Sequence, residues 1–343
     1  KKNGTLEISY GLGYCGYNTL RARVSDLYFL DDNENVVAIR KGAYNFKTYE
    51  IPKEATKLKV AFHNQGVPTS GDGDFGGSIG FVSSYRTPIH NFIYDCIVED
   101  NYSCGFANCG VQKFIIKDNI FRRNAGRMPG CDIDWEDGWE FMQDNIVIGN
   151  TFESGNGVIV CAGNNFLFTE NEFNGISTFW GRSQNMNMFN NNIKGKVDWS
   201  SQTDSRIINN NISSQVSTGA YHGSAKYYCT LEGNIFKNGK VASTSNKIIK
   251  NNKFIDKCSM RENIININNC QFLRGDTENI ELVFFGEKTV EDCIFNNISP
   301  RLYNNQAKEN DLHVIFDNCL FNNSMPYNFN NIFSVFNNCI FEN

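Results

Sequence analysis

A short phrase recurs through most of the chain and constrains its fold more than any other feature. The phrase is Asn or Cys, then any residue, then Phe, and nine segments carry it. They are "DNIF" at Asn119, "GNTF" at Asn150, "ENEF" at Asn171, "GNIF" at Asn234, "NNKF" at Asn252, "NCQF" at Cys270, "DCIF" at Cys293, "NCLF" at Cys319 and "NCIF" at Cys339. Cys96, Asn192 and Asn211 keep the first position with a weaker Phe position. A repeat of about 21 residues with variable insertions is typical of a solenoid.

The segments between these phrases predict what kind of solenoid forms. Runs such as "KFIIKDNIF" and "NFLFTENEF" alternate β-prone residues and are separated by Asn, Gly and Ser. Three short strands fit each period, which predicts an all-β fold, a right-handed parallel β-helix. At the bend between strands, Asn tolerates left-handed backbone angles, and its amide can bond to the Asn of the next coil. The Phe two residues later points inward, because side chains alternate in a strand.

The first 85 residues lack this repeat. "LRARVSDLYFLDDNENVVAI" and "YEIPKEATKLKVAFH" alternate apolar and polar residues around turns, as antiparallel strands do. We therefore expect a small β-sandwich over residues 1–85, of the carbohydrate-binding type, and the β-helix over residues 86–343. The junction is expected in the segment "GVPTSGDGDFGGSIG".

Net charge and composition indicate which classes of binding partner to expect. The chain has 343 residues and a net charge of −5, and it shows neither a basic stripe nor an apolar run of membrane-spanning length. Nucleic-acid binding and membrane insertion are therefore not expected. Five of the twelve cysteines occupy the Asn position of the repeat, which favours free, buried thiols and assembly in a reducing cytoplasm.

An acidic insertion interrupts the repeat between Asn119 and Asn150. It contains "GCDIDWEDGWEFMQD" from residue 130 to residue 144. If the segment is extended, Asp132, Asp134 and Glu136 project from one face, about 6.6 Å apart in succession. Like charges this close raise at least one carboxyl pKa, which suits glycoside hydrolysis by one protonated and one ionised carboxyl group.

We expect Asp134 and Glu136 to act as acid and base, and three further acids to tune their pKa values: Asp132, Asp137 and Glu140. Two other interpretations of the insertion remain open. Clustered carboxylates could bind calcium, although no other cofactor is expected. Alternatively, nearby arginines could pair with the acids in a structural network; they are Arg122, Arg123 and Arg127.

Aromatic residues recur about eleven to thirteen residues before the Asn position. With neighbouring polar residues they predict a stripe along one face, where aromatic rings pack on sugars. The expected substrate-binding residues are Trp135, Trp139, Trp180, Arg182, Trp199, Tyr221 and His222. The alternative is an aromatic stack inside the coil.

The repeat, the Asn ladder and the acidic insertion resemble the pectin-lyase-like β-helix superfamily over residues 86–343. The segments "PTSGDGDFGG", "CGVQKFIIKDNIFRRNAGRMPGCDIDWEDGWEFMQD" and "VCAGNNF" are similar to β-helix proteins of phage and prophage tails. This resemblance implies a homotrimeric tail-spike protein that binds, and in some cases cleaves, a cell-surface polysaccharide.

The resemblance also implies a location in the virion tail, or outside the cell after cytoplasmic assembly. The chain lacks the Asn-Thr-Asp, Asp-Asp, Gly-His-Gly and Arg-Ile-Lys series of polygalacturonases, and it lacks the calcium-site and arginine pattern of pectate lyases. The resemblance therefore supports the fold more than one reaction. Hydrolysis is expected ahead of elimination, and a non-catalytic glycan-binding adhesin is the rival function.

Overall fold

The computed structural model describes most of the chain. The described residues are 5–10, 23–44, 48–62, 79–83, 90–108, 111–124, 130–135, 142–199, 205–218, 229–238, 241–243, 247–260, 266–276, 281–303, 312–329 and 332–343. Within them the chain forms 39 β-strands and no helix. The expected all-β class is confirmed.

Two small antiparallel sheets precede the solenoid. The first contains β1 (Thr5–Tyr10), β4 (Thr48–Glu50) and β6 (Ile79–Ser83), and the second contains β2 (Arg23–Leu30), β3 (Val36–Tyr44) and β5 (Lys57–Phe62). The second sheet buries Leu27 and Phe29, and Tyr49 of β4 packs against this core. These sheets are consistent with the expected small N-terminal domain. Its boundary at residue 85 lies outside the described residues and stays a prediction.

The solenoid has one narrow sheet of twelve short parallel strands among the described residues. Each strand pairs in register with the equivalent strand of the next coil, as Phe121 does with Phe152. The strands are β8 (Ile97–Glu99), β11 (Ile120–Arg122), β14 (Thr151–Phe152), β16 (Glu172–Phe173), β18 (Asn192–Ile193), β21 (Asn211–Ile212), β24 (Ile235–Lys237), β27 (Lys253–Ile255), β30 (Gln271–Leu273), β33 (Ile294–Asn296), β36 (Leu320–Asn322) and β39 (Ile340–Glu342).

A wide parallel sheet of 21 strands supplies the remaining sides of the coil. Most coils contribute two strands to it, and β15 and β17 each run through two sides as one long strand. Its strands are β7 (Phe92–Tyr94), β9 (Cys104–Asn108), β10 (Ile115–Lys117), β12 (Cys131–Trp135), β13 (Ile146–Ile148), β15 (Asn156–Thr169), β17 (Ile176–Phe189), β19 (Val197–Trp199), β20 (Ser205–Ile208), β22 (Val216–Thr218), β23 (Cys229–Glu232), β25 (Val241–Ser243), β26 (Lys247–Lys250), β28 (Lys257–Met260), β29 (Asn266–Asn268), β31 (Glu281–Phe285), β32 (Lys288–Glu291), β34 (Pro300–Tyr303), β35 (Leu312–Asp317), β37 (Tyr327–Phe329) and β38 (Ile332–Asn337). The expected parallel β-helix is confirmed.

An asparagine ladder joins successive coils at one corner. The Asn119 side-chain Nδ2 donates to Asn150 Oδ1 at 2.9 Å and to the Ile93 carbonyl at 3.1 Å. The Asn119 backbone N–H donates to the same Asn150 Oδ1 at 3.0 Å. These hydrogen bonds satisfy buried polar groups, which would destabilise the folded state if they had no partner. The ladder consists of Asn119, Asn150, Asn171, Asn191, Asn210, Asn234 and Asn252.

Two details of the expected ladder are wrong. The left-handed residue is the one before the ladder position: Asp118 has a φ of 54° and Asn190 a φ of 55°. The ladder Asn therefore acts through its amide and not through its backbone angles. On two coils the ladder residue is also shifted by one from the expected Asn192 and Asn211, because runs of three asparagines hide the register.

Phenylalanine rings fill the interior beside the ladder. Phe121 stacks on Phe152 with ring centroids 5.3 Å apart, and Phe152 stacks on Phe173 at 5.1 Å. Ile193 and Ile212 occupy the same position on the next two coils. Stacking then resumes through Phe236, Phe254, Phe272, Phe295, Phe321 and Phe341. The predicted interior Phe ladder is confirmed.

Candidate functional site

The acidic insertion begins as a strand whose described residues are all buried. In β12, Ile133 and Trp135 belong to the hydrophobic core of the coil. Asp134 alternates with them and therefore projects from the outer face, where it pairs in register with Ala107 and Ile159. The side chain is nevertheless only 2% exposed. Asp134 is thus the one described acid of the predicted catalytic set that lies on the outer face.

Asp132 points into the coil at a corner between the sheets. Its Oδ1 accepts hydrogen bonds from Asn124 Nδ2 at 2.9 Å and from the Ser154 hydroxyl, and its Oδ2 accepts from the Ser154 backbone N–H at 3.0 Å. The equivalent residues of the neighbouring coils are Gly105 and Gly157. A Cβ atom on Gly105 would lie 2.8 Å from Asn124 Nδ2. The glycines leave room for the Asp132 carboxyl group and its partners.

Burial raises the pKa of Asp132 above its ordinary range, although the hydrogen bonds from Ser154 and Asn124 act in the opposite direction. The carboxyl group of Asp132 points into the coil, toward Asn124 and Ser154, and away from the outer surface on which a polysaccharide would lie. The expectation that Asp132 and Asp134 share one face is therefore wrong. A bend at the corner turns Asp132 inward while Asp134 faces outward.

Two of the tryptophans expected in a substrate groove are inside the coil. Trp135 is 0% exposed and Trp199 is 1% exposed. Trp199 pairs in register with Phe179, and their ring centroids are 4.2 Å apart. Trp135 packs edge-on against Phe166 and Phe168. For these two residues the alternative of an interior aromatic stack is the observed one, and neither can line a sugar subsite.

The other predicted site residues stay predictions. Trp180 and Arg182 lie on β17, where Arg182 pairs in register with Ala162, but their side chains lie outside the described structure. Six further residues lie wholly outside it: Glu136, Asp137, Trp139, Glu140, Tyr221 and His222.

The arginines before the insertion pair with acids of an earlier coil. The guanidinium group of Arg123 contacts Glu99 and Asp100, each at 2.7 Å, and Arg122 also bonds Glu99. These hydrogen bonds hold the pKa values of Glu99 and Asp100 below their ordinary range. Arg122 and Arg123 therefore pair with acids of a neighbouring coil, and the predicted pairing of these arginines with the acids of the insertion stays a prediction. Arg127 lies outside the described residues.

The calcium alternative also stays a prediction. Among the described residues, no group of three or more His, Cys, Asp or Glu side chains is arranged to hold a metal ion. Two of the four clustered carboxylates, Glu136 and Asp137, are not in that part of the chain.

A surface groove of about 430 Å³ lies on the outer face of the wide sheet. Its floor is apolar: Ile146 and Leu167 are register partners on β13 and β15, and Phe189 projects from the end of β17. All three side chains are half-buried. The complete lining is Asp144, Asn145, Ile146, Asn165, Leu167, Asn187, Phe189 and Arg206.

Polar groups frame this apolar floor. The Asp144 carboxylate accepts a hydrogen bond from Asn165 Nδ2 at 2.7 Å, and Asn187 Nδ2 donates to the Asn185 carbonyl at 2.9 Å. Arg206 is exposed on β20, next to Asn187 in register. Within the described part of the chain, the Arg206 guanidinium has no ion-pair partner. The groove thus offers an unpaired cation, amides and an apolar surface within one open site.

The sequence interpretation missed this groove. Asn165 and Asn187 resemble the many asparagines of the coil corners, so composition does not single them out. The groove residues could have been found by aligning the outward-facing residues of successive strands, counted back from the ladder Asn of each coil. Taking Asn192 in place of Asn191 as the ladder residue shifted this alignment by one residue.

Comparison with protein-family models found no match to this chain, and comparisons with curated proteins and with solved structures found none either. No helix among the described residues is both long and apolar enough to cross a membrane. The parallel β-helix itself is compatible with polysaccharide binding.

Proposed function

We propose that this protein binds a polysaccharide along the outer groove between Asp144 and Arg206. The observation that carries the proposal is an apolar floor framed by amides, a carboxylate and an exposed guanidinium group. The apolar face of a sugar ring packs on side chains such as Phe189 and Leu167, while the flanking polar groups bond its hydroxyls.

The shape of the groove favours a chain over a small molecule. Its lining comes from equivalent outward positions on four successive coils, on β13, β15, β17 and β20. Adjacent coils are about 4.8 Å apart, so a ligand lying across the coils contacts new side chains at each step. A surface-exposed glycan polymer is therefore the ligand class that fits best.

Cleavage is a further part of the proposal, with hydrolysis ahead of elimination. Glycoside hydrolysis needs two carboxyl groups on either side of the scissile bond. Asp134 on the outer face of β12 is the described candidate, and Glu136 is the proposed partner. Asp137 and Glu140 remain proposed to tune these groups, and Trp139, Trp180, Arg182, Tyr221 and His222 remain proposed substrate contacts.

Binding without cleavage is the second candidate function. One observation favours it: among the described residues that line the groove, Asp144 is the single carboxylate, and it is engaged by Asn165. The tail-spike role, the homotrimeric state and the location in a virion tail or outside the cell belong to either proposal.

A polysaccharide screen followed by product analysis tests both candidates. The wild-type protein is applied to immobilised bacterial surface glycans, and bound material is incubated and assayed for reducing ends and for unsaturated, UV-absorbing products. Hydrolysis yields reducing ends that the combined substitutions Asp134→Asn and Glu136→Gln abolish while binding persists. Binding with no new products from the wild type supports the non-catalytic protein. Failure to bind any glycan contradicts the proposed function.

A further inference from the structure

The asparagine ladder changes into a row of cysteines over the last coils. Cys270, Cys293 and Cys319 are 0%, 1% and 2% exposed, and Cys339 is half-buried. All four are free thiols. They occupy the ladder position of consecutive coils, directly after Asn252, and we call them the cysteine row.

The thiols make the contacts that the ladder amides make on earlier coils. Cys293 Sγ accepts the backbone N–H of Cys270 at 3.3 Å and lies 3.1 Å from the Glu291 carbonyl. Asn150 likewise accepts a hydrogen bond from the backbone N–H of Asn119 and donates one to the carbonyl of Ile148, two residues earlier in the chain. Because the geometry of the ladder is kept, the sulfur atoms lie in line along the coil axis, one per coil.

The thiols also contact backbone carbonyl groups of the preceding coil. The Cys293 Sγ atom lies 3.8 Å from the Ile267 carbonyl oxygen, and the Cys319 Sγ atom lies 3.3 Å from the Val290 carbonyl oxygen. A thiolate is the form of cysteine that binds metals.

The spacing of the row selects the kind of metal. Adjacent coils are about 4.8 Å apart, and two metal–sulfur bonds of about 2.3 Å placed end to end span about 4.6 Å. In the described structure no three such ligands converge on one point, so the four ligands that structural zinc requires are missing. Soft thiolate ligands favour monovalent copper, which accepts two ligands in a line.

We propose that the cysteine row binds a soft monovalent cation of the Cu(I) type between sulfur atoms of adjacent coils. Two S–H bonds break and two metal–sulfur bonds form at each site; both protons pass to solvent, and no electron is transferred.

An anaerobic titration with Cu(I), in competition with a chromophoric Cu(I) chelator, tests this proposal. The test variant is Cys293→Asn, because Asn252 fills the same position two coils earlier and the ladder should persist. The matched control is Cys229→Ser, because that buried thiol lies outside the row and pairs in register with Ser205. Circular dichroism verifies that both variants are folded, and Cys319→Asn replaces Cys293→Asn if the latter does not fold.

We expect the wild type to bind Cu(I) with a sulfur-to-copper absorption band and release of protons. The substitution Cys293→Asn should weaken the tightest site at least tenfold, while Cys229→Ser should change it less than twofold. Three results would overturn the proposal: no binding by the wild type, equal affinity of the wild type and Cys293→Asn, or displacement of Cu(I) by equimolar Zn²⁺.

Discussion

The Asp132 carboxylate accepts the backbone N–H of Ser154, on the next coil, at 3.0 Å inside the β-helix. Burial raises the folded-state pKa of Asp132 above the ordinary 3.8. The folded protein therefore binds the carboxyl proton of Asp132 more tightly than the unfolded chain does. The stabilising contribution is therefore fully present below the unfolded pKa and is lost as pH rises through the folded pKa.

The first prediction concerns how stability changes with pH. The free energy of unfolding of the wild type, minus that of Asp132→Asn, should fall as pH rises from below 3.8 through the raised pKa. Chemical denaturation of both proteins across this pH range measures the difference. A difference that rises over the same window would show that the hydrogen bonds from Ser154 and Asn124 outweigh the effect of burial.

The second prediction compares two adjacent asparagines. Asn191 Nδ2 donates to Asn210 Oδ1 at 2.9 Å, and its Oδ1 accepts from Asn171 Nδ2 at 3.0 Å. The substitution Asn191→Ala leaves buried partners unsatisfied and should cost about 3 kcal/mol of unfolding free energy. Asn192→Ala, outside the ladder, should cost about 0.5 kcal/mol or less. Equal losses in urea denaturation would contradict the register of the ladder.

The third prediction concerns the interior tryptophans. Because Trp199 is 1% exposed and packs on Phe179, Trp199→Ala should lower the unfolding free energy by about 3–5 kcal/mol. The control is Tyr327→Ala, since Tyr327 is 57% exposed and its loss should be small. Thermal unfolding measures both. If Trp199→Ala left the unfolding free energy unchanged and weakened glycan binding, Trp199 would have to lie in a surface groove, which would contradict its interior position.

Much of the fold was predictable because the repeat encodes it directly. Most coils carry a ladder Asn or Cys with a Phe two residues later, so their spacing appears in the sequence, as at Asn119, Asn150 and Asn171. The position of the left-handed residue was not predictable from the same pattern, because Asp118, Gly149 and Glu170 share no residue type.

The candidate site was less predictable, since an outer face depends on register to a single residue. Equal counting from the repeat position aligns Trp180 with Trp199, whereas the structure aligns Phe179 with Trp199, because the coil of β17 has one more residue between this position and its ladder Asn. In a strand, a shift of one residue exchanges inside and outside. The same argument explains Asp132: strand alternation predicts one face for Asp132 and Asp134, but the corner before Ile133 turns Asp132 inward.

Binding of the polysaccharide identified by the screen to two arginine variants tests the central claim most directly. Arg206 lies in the groove, whereas Arg301, also exposed and on a strand of the wide sheet, lies outside it. Isothermal titration should show that Arg206→Ala weakens binding at least tenfold, about 1.4 kcal/mol, while Arg301→Ala changes affinity less than twofold. Equal affinity of wild type and Arg206→Ala, with both proteins folded, would contradict a polysaccharide site in this groove.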